Sequence, residues 1–63
     1  MLVNGKEMHF ENITIVRLLE NLSLDMNKVV VEVNLDIISK ENYPEYILNK
    51  EDKIEIISFV GGG

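Results

Sequence analysis

One stretch of this sequence carries a clear helical period, and most of what surrounds it reads as strand or turn. In "TIVRLLENL", Ile15, Leu18, Leu19 and Leu22 fall at i, i+3, i+4 and i+7, which gives a helix one apolar side. Thr14 stands at the N-cap position. Arg17 occupies the place where a capping box needs Glu or Gln, so the cap is incomplete. The helix ends near Asn21 to Ser23, and "SLDMN" follows as a loop. With 63 residues there is room for one domain. A single helix of this kind covers one face of a small mixed sheet, which is α+β architecture.

The flanking segments supply that sheet. "MLVNGKEMHF" reads as a hairpin, because Asn4-Gly5 suits the two positive-φ positions of a type I′ turn. Met1 and Val3 before the turn, and Met8 and Phe10 after it, alternate as core-facing residues. "KVVVEVN" is a β-branched strand with Val29, Val31 and Val33 on one face and Val30 and Glu32 on the other. "DIIS" suggests a short further strand, and "KENYPEYIL" is irregular, with Pro44 keeping its middle out of any ladder. In "KIEIISF", Ile54, Ile56 and Ser58 face one way and Glu55, Ile57 and Phe59 the other. Apolar residues on both faces predict a central strand. This order fits a β-grasp, or ubiquitin-like, domain over residues 1–60, followed by a flexible tail, 61–63.

Composition excludes several functions. Eleven acids against six scattered bases give a net charge of −5, the wrong sign for phosphate contacts with nucleic acid. The acidity either steers the protein to a basic partner or simply keeps it soluble. There is no cysteine, hence no disulfide framework. The N-terminus lacks the pattern of a signal peptide, and no segment reaches the ~20 apolar residues of a membrane span, so a cytoplasmic protein is expected. His9 is the only histidine, expected on the outer face of the hairpin, with no serine or acid at a triad spacing. No metal is expected, since only dispersed carboxylates could join that histidine. The adjacent pair Glu51-Asp52 reads as a solvated turn. No phosphate loop is present, so no catalytic residue is assigned.

What remains is the tail, "VGGG". Glycines without side chains are poor structure but permit close backbone approach. The carboxylate of Gly63 could enter a narrow site on another protein and be activated as an acyl-adenylate. The plainer reading is a frayed end.

Taken together, "VNGK", "TIVRLLENL", "VVVEVNLDIISKENY" and "DKIEIISFVGG" resemble the ThiS family, the sulfur carriers of thiamine thiazole synthesis. The likeness covers nearly the whole chain, including Ile37-Ile38, Lys40, and Tyr43 where the family often has Trp. It implies a β-grasp fold in a protein that is not an enzyme. The Gly63 carboxylate would be adenylated by a ubiquitin-activating-like (ThiF-type) enzyme using ATP, with no cofactor bound to the carrier itself. A persulfide donor would convert it to a thiocarboxylate, and a ThiG-type thiazole synthase would take the sulfur. Gly62 and Gly63 match the family's Gly-Gly end, and Phe59, Val60 and Gly61 lead into partner grooves. Two positions depart from the pattern. Glu51 stands where a turn glycine is usual, a left-handed position that would strain glutamate and so points to a different turn here, and Leu35 replaces a common glycine after Asn34. A carrier for molybdopterin, tRNA thiolation or cysteine synthesis, and a ubiquitin-like interaction module without tail chemistry, are the alternatives.

Overall fold

The computed structural model describes residues 1–59. Two strands are longer than the rest, β4 (Val29–Val33) and β7 (Lys53–Ser58), and they pair antiparallel through five residue pairs, Val29 with Ser58 to Val33 with Ile54. Short strands flank them. β1 (Leu2–Val3) runs parallel to β7, β2 (Lys6–Glu7) closes the hairpin on β1, and β5 (Asp36–Ile37) turns back on β4. The sheet order is β2-β1-β7-β4-β5, so the last strand is central, as its apolar pattern predicts. A separate two-stranded ladder joins β3 (Ile13–Thr14) to β6 (Ile47–Leu48). The sheet order, with one helix packed on one face, is that of a β-grasp.

Helix α1 (Ile15–Asn21) buries Ile15, Leu18 and Leu19 against Val29, Val31 and Val33 of β4 and Ile54 and Ile56 of β7 in one core cluster. Leu22 is half-buried at its end. Thr14 caps as its sequence position predicts, its Oγ1 accepting from the Arg17 N–H at 3.1 Å. Arg17, in place of a capping-box acid, pairs at the surface with Glu20 at 3.6 Å. Two more first-turn N–H groups are met by the "KENYPEYIL" segment. Ile15 donates to the Tyr46 carbonyl (3.1 Å) and Val16 to that of Tyr43 (3.4 Å). The irregular loop is thus the helix's N-terminal seat. At the other end Leu24 donates to the Leu19 carbonyl and Ser23 to that of Glu20, a Schellman closure with Ser23 at φ 58°.

Several expectations change. Strand β2 stops at Glu7, so His9 is exposed on a loop beyond the ladder and not on a strand. Reciprocal bonds between Met1 and Met8 add one rung, after which the chain turns away and packs Met8 and Phe10 half-buried against the core. β7 is central but buried on one side only, and Ile57 on the other side is 50% exposed. The turn at Glu51 does differ from the glycine turn of the family pattern, as that departure suggests, since Glu51 does not take a positive φ. Asp52 closes that turn instead, its carboxylate accepting from the Asn49 N–H at 2.8 Å while its own N–H donates to the Asn49 carbonyl. The "SLDMN" loop continues into a 3₁₀ turn at Met26–Lys28, and a second forms at Lys40–Asn42. Among the described residues no helix is long and apolar enough to cross a membrane.

Both tight hairpins use positive-φ pairs, Asn4 (53°) with Gly5 (80°) and Asn34 (51°) with Leu35 (75°). Leucine there is strained, and at 86% exposure it gains no burial in return. Left-handed backbone costs a non-glycine residue about 1–2 kcal/mol, against the roughly 0.5–1 kcal/mol of extra chain entropy that glycine loses. Leu35→Gly is therefore expected to raise the denaturation midpoint, by up to about 1 kcal/mol of stability in chemical unfolding. Tyr43 is buried, and its hydroxyl accepts from the Val31 N–H at 3.2 Å. Tyr43→Phe orphans that buried donor and should cost about 1–3 kcal/mol in the same measurement. Leu18→Ala, fully inside the core, should cost about 2–5 kcal/mol.

Candidate functional site

The candidate site lies where β7 leaves the sheet. Alternate residues of this strand serve its two neighbours. Lys53 and Phe59 turn their backbone groups to the β4 side, where the Lys53 carbonyl accepts from Asn34 N–H (2.8 Å) and the Phe59 N–H donates to the Lys28 carbonyl (3.1 Å). Ile54 and Ile56 turn theirs the other way. Asn4 N–H donates to the Ile54 carbonyl at 2.9 Å. The Asn4 side chain then takes both groups of Ile56, its Oδ1 accepting from the N–H at 2.7 Å and its Nδ2 donating to the carbonyl at 3.2 Å. An amide side chain can do this because it carries an acceptor and a donor side by side, as a peptide unit does.

The second turn asparagine grips the strand's start. Asn34 Oδ1 accepts from the Lys53 N–H and its Nδ2 donates to the Asp52 carboxylate, each at 3.0 Å. β7 is therefore held at both ends by turn residues in the left-handed conformation that asparagine tolerates.

Phe59, the last described residue, is 46% exposed just past the ladder. Val60, Gly61, Gly62 and Gly63 lie outside the described residues. The sheet face opposite α1 is open. Cross-strand pairs place Val30 beside Ile57, and Glu32 beside both Glu55 and Ile37. Ile37 is 71% exposed. Two carboxylates directly opposite each other repel, so this face joins exposed aliphatic groups to a concentrated negative charge.

Nothing else among the described residues forms a reaction centre. No cluster of three potential metal ligands exists there, and no buried polar side-chain atom lacks a partner. His9 is exposed and lines a shallow depression of about 370 Å³ with Glu7, Glu11 and Lys50 beside it. The sequence places Phe59 at the end of the last strand, and in the structure that strand is Lys53–Ser58 with Phe59 just past it. The sequence marks Asn4 only as a turn residue. The Asn-Gly dipeptide signals the turn, but nothing in it signals a contact 52 residues away.

Comparison with known proteins follows this geometry. The model of the ThiS family matches residues 1–63. The chain is 44% identical over 63 residues to the sulfur carrier protein ThiS of Bacillus subtilis, covering 97% of this chain and 96% of that one. It is 42% identical to a segment of the thiazole synthase of Paramagnetospirillum magneticum, spanning only 20% of that protein's length. The crystal structure of a thiamine biosynthesis protein (ThiS) from Geobacter metallireducens superposes with a TM-score of 0.79 at 29% identity, covering 98% of this chain and 96% of that one.

Proposed function

From the premise that this chain belongs to the ThiS family, we propose that it is a sulfur carrier of thiamine thiazole synthesis, a protein substrate rather than a catalyst. The observation that carries the proposal is that the family match runs unbroken through the glycine tail, residues 1–63. In this reading the folded body ends at Phe59, and Val60, Gly61 and Gly62 deliver the Gly63 carboxylate into partner sites. There a carboxylate oxygen attacks the α-phosphorus of ATP and expels pyrophosphate. The outer sulfur of a donor persulfide then attacks the acyl carbon and AMP leaves. A second thiol cleaves the remaining S–S bond and frees the thiocarboxylate. All three reagents belong to partners, which agrees with a chain that contains no cysteine.

The partners are a ThiF-type adenylating enzyme, a persulfide donor and a ThiG-type thiazole synthase, all in the cytoplasm. Two proteins named thiazole synthase contain a segment similar to this whole chain, at 42% and 36% identity, which supports a carrier and synthase working together. The open face of Val30, Ile37 and Ile57 beside Glu32 and Glu55 suits a partner surface that is apolar with a basic rim.

Incubation with ATP, the adenylating enzyme and a sulfur donor should raise the intact mass by the difference between one sulfur and one oxygen. An unchanged mass with a competent cognate enzyme would sink the proposal. Removing Gly62 and Gly63 should abolish this change and leave the thermal transition nearly where it was. An interaction module without tail chemistry would bind its partner equally well after that truncation.

A further inference from the structure

We infer that Asn4 is a positioning residue for the reactive tail, through its two-point grip on Ile56, an inference that rests on the sulfur-carrier reading above. β1 contributes only Leu2 and Val3, which lie opposite Lys53 and Ile54. From Ile56 onward that edge of β7 has no strand beside it in the sheet, and the Asn4 side chain supplies the missing rung with bonds of 2.7 and 3.2 Å. Ile56 is thus the last described residue of β7 gripped from the β1 side; beyond it the Phe59 N–H still donates to the Lys28 carbonyl on the β4 side.

That grip sets the aim of the strand's exit, because a strand bonded on two sides resists the pivoting that a strand bonded on one side allows. Without the Asn4 amide the last bond on the β1 side runs from the Asn4 N–H to the Ile54 carbonyl, and β4 alone holds the strand beyond it. The added freedom is a pivot of the end of β7 about the β4 ladder, and the strand pairs keep Val30, Ile37, Ile57, Glu32 and Glu55 of the open face in place. Loss of the grip therefore affects how often Gly63 meets ATP in a docked complex and leaves docking itself unchanged. An ångström of misplacement at a reacting atom costs up to about a hundredfold in rate.

Asn4→Gly tests this cleanly, because glycine accepts the φ of 53° at this turn and only the side-chain bonds are lost. The assay is ATP–pyrophosphate exchange by the host's adenylating enzyme, with the carrier concentration varied at a temperature where every variant is folded. Tyr43→Phe serves as the comparison, since it removes a ladder bond on the far edge of β4, away from the tail. We expect Asn4→Gly to lower kcat about tenfold or more with KM for the carrier unchanged, faster amide exchange at Ile56, and wild-type kcat for Tyr43→Phe. A kcat equal to wild type, a rise in KM alone, or an equal loss of kcat in Tyr43→Phe would each overturn the inference while leaving the carrier reading intact. A wild-type chain that the enzyme never adenylates would overturn both.

Discussion

The antiparallel ladder between β4 and β7 is the constraint on which the rest of the molecule depends. It is the one long pairing in the structure, five residue pairs, against two or fewer in every other strand contact. Its inner faces, Val29, Val31, Val33, Ile54 and Ile56, form the floor on which α1 sets Ile15, Leu18 and Leu19. Burial of this kind is what offsets ordering entropy in so small a domain. The helix, seven residues long, would not be stable alone and takes its stability from that floor.

Strands as short as β1 and β5 leave the long pair incompletely covered, and side chains make up the difference. Tyr43 answers the Val31 N–H on one outer edge, and Asn4 answers Ile56 on the other. Asn34 does the same for Lys53 at the start of β7. A peptide N–H buried without a partner is costly, so each of these side chains does the work of a residue of strand. The loop from Ser39 to Tyr46 likewise serves two purposes, seating the start of α1 with carbonyls and sending Tyr43 into the core.

The larger elements were legible because their periods are strong. The valine alternation over 29–33, the aliphatic spacing of α1 and the Asn-Gly turn each point to one local structure. The β3–β6 ladder was not legible, since two residues per strand carry no period. The one-sidedness of β7 was not legible either, because Ile57 looks like a core residue until the open face is seen. At Glu51 the missing glycine pointed to a different turn, but not to the Asp52 carboxylate that closes it. The candidate site divides in the same way. Its tail was readable as a string of glycines, whereas the Asn4 grip depends on a contact that only the closed sheet creates.

The parallel pairing of β1 with β7 also governs when this protein can exist as a folded object. β1 and β4 are not neighbours, and only β7 joins them. Until Lys53–Ser58 has left the ribosome, the growing chain holds β1 and β4 with open edges and a helix with only the β4 half of its floor. Such contacts between distant parts of a chain form late and slowly. A synthesis product that stops short of Lys53 lacks the pairings to both β1 and β4 and leaves apolar segments of the core exposed. The strand that leads into the glycine tail is thus also the one whose arrival completes the fold, so the body and the tail are finished together.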